Sequence, residues 1–338
     1  MAEPLLEVKD LKVHFPTEDG LVKAVDGVSF SISPGETLGV VGESGSAKSV
    51  SWLTVMGLVT RKEARISGQV FFRGEDLLKL PPDEMREYRG AKLSMIFQDP
   101  LTALNPVHRV GNQIAEMFLT HRDISKKDAF RESVNLLQLV GIPQPEQRAR
   151  QWPHEYSGGM RQRAMIAMAL ALNPDLLIAD EPTTALDVTV QAQILDLIDR
   201  LKDEFEAAVV LITHDLGVVA EHCDDIVVMY AGKAVEYGQR RDIYYDSHHP
   251  YTWGLMQSIS RIDQPREERL RPIKGQPPSL INVPSGCAFH PRCPYVMDPI
   301  CKTDVPALLP ANGHHASACH LSLAEKERIV HEEVLSHT

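Results

Sequence analysis

The sequence contains no hydrophobic run that approaches the roughly 18 apolar residues needed to cross a bilayer. It also lacks the basic stretch and apolar segment of a secretory signal at its N-terminus, so we expect a cytosolic chain. Basic residues are fewer than acidic residues: the sequence has 35 Lys and Arg against 46 Asp and Glu, which gives a net charge of −11. That balance disfavours binding to nucleic acid or anionic lipid through charge alone, but it allows docking onto a membrane protein.

Apolar strand patterns alternate with helical patterns over most of the chain. Two short strands, Leu5–Val8 and Leu11–Phe15, are expected first, and later apolar runs include Ala208–Thr213. Helical spacing of apolar residues predicts a helix over residues 188–202. This alternation predicts an α/β fold with a largely parallel sheet and a ligand at the carboxyl ends of its strands.

The last part of the chain has a different composition. Beyond about residue 245, proline becomes frequent and the hydrophobic periodicity fades. We therefore expect a domain over residues 1–245 and an irregular extension over residues 246–338. Such an extension packs little apolar surface of its own, and small elements of that kind usually need a staple such as a metal.

Residues 42–49 read GESGSAKS, which is one residue away from a phosphate-binding loop. A buried strand is expected before the loop and a helix after it, and backbone N–H groups in that setting can hold a polyphosphate. Lys48 is expected to reach the terminal phosphates, and the Ser49 hydroxyl is expected to bind Mg²⁺. The candidate nucleotide-binding residues here are Gly42, Ser44, Gly45, Ser46, Ala47, Lys48, Ser49 and Val50.

Ala47 stands where the loop pattern has its second glycine. Glycine lets the backbone approach the phosphates closely, so the Ala47 methyl group is expected to crowd the β-phosphate and weaken nucleotide binding. The alternative is a substitution that the loop absorbs with a small shift. Because of Ala47, a partner that binds nucleotide without turning it over also remains open.

Asp180 and Glu181 end an apolar strand. Two adjacent acids are costly to bury, so a cation is the expected reason for them. Asp180 would hold Mg²⁺ through water, and Glu181 would act as the general base. The alternative is a pair of acids that cap a helix on a loop.

Four further features are weak alone. Ser157, Gly158 and Gly159 begin a helix and would form a second anion site, although such a segment is usually a turn. Gln98 follows a strand and would touch Mg²⁺ or the attacking water; otherwise it is a solvated glutamine. His214 at a strand end would bind the γ-phosphate, whereas a lone histidine is more often structural. Phe15 could stack on a base, although an aromatic residue in a strand is more often part of the core.

In this order along the chain, these motifs and Ala185-Leu186-Asp187 resemble the ATP-binding subunit of an ABC transporter over roughly residues 5–245. The resemblance implies a P-loop NTPase core with an antiparallel β subdomain and a helical subdomain at about residues 100–160. It implies ATP and Mg²⁺, and two subunits that face head to tail, so that each ATP lies between the loop of one and the Ser-Gly-Gly segment of the other. It further implies roles for individual residues: adenine stacking for Phe15, coupling to a membrane subunit for Gln98, the dimer seam for Asp187 and the γ-phosphate switch for His214.

The extension resembles that of ATPases from oligopeptide and dipeptide importers, on His248-His-Pro-Tyr-Thr252 and Gly286-Cys-Ala-Phe-His-Pro-Arg-Cys293. The similarity is closest to the D-type subunit, which implies an F-type ATPase partner, two membrane permease subunits and, indirectly, an extracytoplasmic solute-binding protein. It places the chain peripherally on the cytoplasmic face of the inner membrane. The alternatives are a related importer for nickel or another small solute, and a soluble ABC ATPase outside transport.

Four of the five cysteines, Cys287, Cys293, Cys301 and Cys319, lie in this extension, and Cys223 stands alone. Thiolates suit zinc or iron–sulfur clusters, but the Cys-x₂₋₄-Cys pairs of structural zinc sites are absent from the sequence. Disulfides are not expected in the cytosol. The resemblance to peptide-importer ATPases implies a [4Fe–4S] cluster on the four residues, with zinc or four lone thiols as the alternatives.

Overall fold

The computed structural model describes residues 3–184, 186–258 and 273–334, apart from the side chains of residues 311, 312 and 333. The chain divides into two compact units. The first unit consists of Met1–Ile32, Thr37–Leu78 and Thr213–Thr338, and the second consists of Ser33–Glu36 and Lys79–Ile212. No helix among the described residues is both long and apolar enough to cross a bilayer.

The described strands are β1 (Leu6–Thr17), β2 (Gly20–Ile32), β3 (Thr37–Val41), β4 (Arg65–Phe72), β5 (Glu75–Asp76), β6 (Leu93–Ile96), β7 (Leu176–Asp180), β8 (Ala208–Thr213), β9 (Asp225–Tyr230), β10 (Lys233–Gln239), β11 (Leu309–Asn312) and β12 (His315–Ser317).

The described α-helices are α1 (Lys48–Val55), α2 (Pro82–Tyr88), α3 (Pro100–Ala103), α4 (Val110–His121), α5 (Lys126–Leu139), α6 (Pro145–Arg148), α7 (Gly158–Ala169), α8 (Val188–Phe205), α9 (Leu216–His222), α10 (Arg240–Tyr245), α11 (Pro250–Gln257), α12 (Ile300–Thr303) and α13 (Leu323–Ile329). Short 3₁₀ helices cover Leu77–Lys79, Pro153–Glu155 and His290–Arg292, and a π-helical turn covers Val330–Val334.

The first unit contains an antiparallel sheet in the order β2-β1-β4-β5. The two short strands expected at its start are a single strand, β1, because a bulge near Asp10 carries the pairing across the polar residues between them. Gly68 lies against this bulge, where a Cβ would come within 2.5 Å of the Asp10 carbonyl oxygen. Only glycine therefore allows β4 to follow β1 around the irregular step.

The first unit also contains strands in the order β11-β12-β10-β9-β3. β3 and β9 are parallel, whereas β9–β10, β10–β12 and β11–β12 are antiparallel. β3 and all but the first residue of β9 are buried, as expected of continuous apolar runs in a parallel pair. The phosphate-loop sequence follows directly after β3.

The second unit is built on the parallel strands β8-β7-β6, and every residue of these three strands is buried. Its helices include α3 to α7, where the sequence predicts a helical subdomain, and α8. Asp180 ends β7, so its carboxylate comes at the carboxyl end of a buried parallel strand, as predicted. The expected α/β architecture is confirmed.

The extension has more regular structure and more core than its sequence suggests. β12 pairs with β10 at Glu236 and Tyr237, which joins the extension to a sheet of the first unit. An apolar cluster is formed by Trp253, Leu321, Ile329, Val330 and Val334, with Tyr295, Met297 and Cys319 packed against it. The expectation that this segment packs little apolar surface is wrong, because these residues are far apart in sequence and meet only in the fold.

Candidate nucleotide site

The phosphate loop lies between β3 and α1, and its first glycine is required by a close approach. A Cβ on Gly42 would lie 2.2 Å from the Met229 carbonyl oxygen, so no side chain fits there. Gly45 is exposed and has φ +81°, in the left-handed region that favours glycine. The loop thus has the tight turn that a phosphate cradle needs.

Lys48 and Ser46 supply the polar groups of this loop. Lys48 is only 5% exposed, and its Nζ donates to the carbonyl oxygens of Gly42 at 2.7 Å and Glu43 at 3.2 Å. The Ser46 hydroxyl is buried and has no hydrogen-bond partner within the described residues. A buried hydroxyl without a partner, beside a lysine at the N-terminus of α1, fits a phosphate-binding loop.

Ala47 adopts φ 70° and ψ 25°, the left-handed conformation, at the N-cap position of α1. The glycine expected at this position therefore serves the backbone conformation as well as close approach to phosphate. An alanine in this region costs roughly 1–2 kcal/mol. Crowding of phosphate by the methyl group stays a separate prediction.

Glu43, the second residue of the loop, contacts the C-terminal extension. Its carboxylate accepts two hydrogen bonds from Arg292, at 2.6 Å from Nη1 and 2.9 Å from Nη2. Its backbone N–H donates to the Tyr251 hydroxyl at 2.7 Å. The Arg292 side chain is 5% exposed, and hydrogen bonding to Glu43 raises the pKa of its guanidinium further. Sequence reasoning missed these contacts, because no local pattern relates residues 249 positions apart.

Gln98 and Glu181 meet in the second unit. The Glu181 carboxylate accepts from Gln98 Nε2 and from Thr184 Oγ1, both at 2.9 Å on Oε2. Glu181 has φ 44°, and its N–H donates to the Ile212 carbonyl oxygen, so its backbone is held as well. The buried carboxylate of Asp180 precedes it. The structure thus brings together two of the predicted residues and adds Thr184, which the sequence analysis did not single out.

Ser157 caps α7, since its hydroxyl accepts from the Met160 N–H at 3.3 Å. Ser157 and Gly158 are exposed. A Cβ on Gly159 would come within 3.2 Å of Val190 on α8, so the small residue allows this approach. Asp187 caps α8, and its Oδ1 accepts from the Val190 N–H at 3.0 Å. Ala185 lies outside the described residues.

His214 and Phe15 both belong to the first unit. His214 follows β8 and is exposed, and Asp215 after it caps α9. Phe15 lies in β1 opposite Val22 and is half-buried rather than part of the core. Their predicted roles toward γ-phosphate and adenine stay predictions.

Comparison with known proteins agrees with this site. Residues 25–184 match the family described as ABC transporter, and residues 235–301 match the family described as oligopeptide/dipeptide transporter, C-terminal region. The chain is 52% identical over 305 residues to the oligopeptide transport ATP-binding protein OppD of Escherichia coli (strain K12), with 90% of each chain covered. It is 50% identical over 329 residues to the dipeptide transport ATP-binding protein DppD of Bacillus subtilis (strain 168), covering 97% of this chain and 98% of the relative.

A solved structure of the ATP-binding cassette MJ0796, a dimer in a post-hydrolysis state bound to ADP and Pi, is similar with a TM-score of 0.63 and 25% identity. The two structures align over 70% of this chain and 99% of the MJ0796 chain. The chain belongs to the family of ABC transporter ATP-binding proteins. Its C-terminal region is of the type found in oligopeptide and dipeptide transporters. The predicted resemblance is confirmed, and with it an ATPase that uses ATP and Mg²⁺.

The predicted [4Fe–4S] cluster is wrong. The matched families and the two relatives named above are described as transporters and ATP-binding transport proteins, without a cluster. The apolar cluster and the β10–β12 pairing hold this segment instead.

No finding supports a zinc ion on the same cysteines either. Within the described residues no three of the four thiols come within 4.8 Å of one another, as a single ion would require. The Sγ atoms of Cys293 and Cys301 accept hydrogen bonds from the N–H groups of Tyr295 and Met297, both at 3.4 Å.

Proposed function

We propose that this chain hydrolyses ATP to power the import of di- and oligopeptides through a membrane ABC transporter. The names of its relatives, OppD and DppD, support peptides as the solute. We place it on the cytoplasmic face of the inner membrane, bound to two permease subunits and served indirectly by an extracytoplasmic solute-binding protein. Its ATPase partner is a different, F-type subunit. The proposed nucleotide-binding domain spans residues 1–245, with a helical subdomain at about residues 100–160, and the extension spans residues 246–338.

In this proposal the phosphate loop and Lys48 bind the nucleotide phosphates, and Ser46 donates its otherwise unpaired hydroxyl to them. Ser49, Gln98 and Asp180 would hold Mg²⁺, which neutralises phosphate charge during transfer. Phe15 supports the adenine ring. Ser157 and Gly158 are exposed and Gly159 is half-buried, and the segment would complete the site of a partner subunit.

The observation that carries the hydrolysis proposal is the pair of hydrogen bonds to Glu181. Gln98 and Thr184 both bind Oε2, so the carboxylate is oriented before any substrate arrives. A general base must be positioned within hydrogen-bond reach of the water that it deprotonates. Glu181 fills that role here, Gln98 and Thr184 position it, and His214 reports the presence of the γ-phosphate.

Replacing Glu181 with Gln should lower ATP turnover by ~10²-fold or more while ATP binding is retained, because the amide keeps the hydrogen bonds but cannot take a proton. The assembled transporter in liposomes should be assayed for phosphate release, for ATP binding and for uptake of labelled dipeptide. Glu204→Gln is the matched control, since Glu204 is exposed on α8 and should leave turnover unchanged.

Full turnover in Glu181→Gln would exclude this residue as the base. ATP hydrolysis that is stimulated by another small solute, with no peptide uptake, would favour the related importers. ATP hydrolysis by the isolated chain that no permease alters would favour a soluble ATPase outside transport.

A further inference from the structure

A cluster of three potential metal ligands lies in the first unit, away from the phosphate loop in sequence. Asp246 follows α10, His248 lies between α10 and α11, and His315 begins β12. One carboxylate oxygen of Asp246 and one ring nitrogen of each histidine all lie within 4.8 Å of one another. The imidazole rings are stacked, with centroids 4.3 Å apart.

The two histidines are fully buried, yet their ring nitrogens are poorly satisfied. His248 is 0% exposed and His315 is 1% exposed. Three ring nitrogens have no hydrogen-bond partner within the described part of the chain: Nδ1 and Nε2 of His248, and Nδ1 of His315. Buried polar atoms without hydrogen bonds cost free energy, so three of them in one place point to a site that a polar or metal ligand can occupy.

Glu236 on β10 holds both histidines of the cluster in place through hydrogen bonds. Its fully buried Oε1 accepts from His315 Nε2 at 2.8 Å and from the His248 backbone N–H, and its Oε2 accepts from the Thr252 hydroxyl. Because His315 Nε2 is paired with Glu236, Nδ1 is the ring nitrogen left for a ligand among the described residues. A carboxylate behind a histidine is the usual support of a metal-binding imidazole.

The charges of the cluster favour a cation. Glu236 and Asp246 are acidic, and the buried ammonium of Lys326, which donates to Ser317 Oγ at 2.9 Å, offsets one of them. Asp246 is 39% exposed on its side chain and provides the route from solvent.

We infer that Asp246, His248 and His315 bind one divalent transition-metal ion, of which zinc suits two imidazoles and a carboxylate best. The ion joins the α10–α11 turn to β12, two parts of the extension that are far apart in sequence. This site contains none of the residues proposed for ATP hydrolysis and none of the cysteines. The competing arrangement is a simple ion pair, since His248 Nε2 lies 3.3 Å from Asp246 Oδ1, with water on the remaining nitrogens.

The test is a zinc titration of the full chain, stripped with a chelator and free of nucleotide, by calorimetry and by competition with a fluorescent zinc indicator. We expect one zinc per chain at this site and a higher unfolding temperature with zinc present. Asp246→Asn and His315→Gln should each weaken binding by ~10-fold or more. X-ray absorption of the bound zinc should show nitrogen and oxygen neighbours at ~2.0–2.2 Å and no sulfur at ~2.3 Å.

Asp242→Asn is the matched control, because Asp242 lies on α10, one turn before Asp246, without belonging to the cluster, and this variant should bind zinc as the unmodified chain does. Circular dichroism of Asp246→Asn should be unchanged, since this residue is partly exposed. No zinc binding, or zinc binding that survives both Asp246→Asn and His315→Gln, would overturn the inference. Sulfur neighbours around the zinc would overturn it as well, since they would assign the metal to the thiols.

Discussion

At the scale of single residues, the phosphate loop differs from its family pattern only at Ala47. The left-handed backbone at this position stores strain in the free protein, whereas crowding of phosphate would act only in the complex. A stability measurement and a binding measurement therefore report two different effects of the same methyl group. The sequence alone predicts that glycine belongs here, but only the backbone dihedral angles show the first of these reasons.

Ala47→Gly should raise the free energy of unfolding by about 1 kcal/mol, because glycine adopts φ 70° without a Cβ penalty. If the methyl group also crowds phosphate, ATP affinity should rise about tenfold, or about 1.4 kcal/mol. Chemical denaturation and calorimetric titration with ATP are the measurements.

The control for this substitution is Ala192→Gly, at an exposed position within α8. There the same change should lower the free energy of unfolding by about 0.5–1 kcal/mol, because glycine is unfavourable inside a helix. If both variants changed the free energy of unfolding in the same direction, the strain at Ala47 would be contradicted. Unchanged ATP affinity would limit its effect to stability.

At the scale of elements, strands and helices with a clear apolar period were predictable. β8 has the predicted bounds, and α8 begins at the predicted residue and continues three residues further. The single strand β1 was not predictable from its sequence, because Lys9 and Asp10 interrupt the alternation and the pairing resumes across a bulge. Helix caps such as Ser157 and Asp187 use local hydrogen bonds and can be found from sequence.

The cap of α11 predicts a dependence of stability on pH. His249 Nδ1 accepts the Tyr251 N–H, and burial lowers the pKa of His249 from 6.5 to about 4, with Glu236 opposing and Lys326 adding to the shift. Between pH 6.5 and 4, His249 is therefore protonated in the unfolded chain but neutral in the folded chain. Stability should therefore fall as pH drops through this window, by about 3 kcal/mol from His249.

Denaturation curves between pH 7 and 4 measure this effect. His249→Asn should flatten that part of the profile, because Asn does not titrate but can still cap the helix. His314→Asn is the control, since His314 is exposed and the substitution should leave the slope unchanged. A variant at His249 with the full original slope would contradict the assignment.

At the scale of the whole molecule, the extension and the phosphate loop of the first unit are joined by the contact between Arg292 and Glu43. Arg292→Ala should lower the free energy of unfolding by about 1.5–3 kcal/mol, because it removes two charge-assisted hydrogen bonds and leaves Glu43 partly buried. It should also weaken ATP binding, since Glu43 lies within the loop.

Thermal unfolding and ATP titration check both effects of this substitution. Arg328→Ala is the matched control: its pair with Glu332, at 2.9 Å, is exposed and should contribute at most about 0.5 kcal/mol. If Arg292→Ala lowers stability but leaves ATP affinity unchanged, the extension supports the fold of this unit and does not position the loop.

The sequence by itself determined the class of this protein and most of its candidate site. Phosphate loops, acidic strand ends and capped glycine turns act through the backbone of a few consecutive residues, so their chemistry is visible in short motifs. It did not determine what surrounds those motifs. Arg292 beside Glu43, Gln98 beside Glu181 and Glu236 beside His315 all come from distant parts of the chain, and only tertiary packing decides which side chains lie together. For the same reason the clustering of the cysteines along the chain was misleading, because it does not show how far apart or how deeply buried their thiols are in the fold.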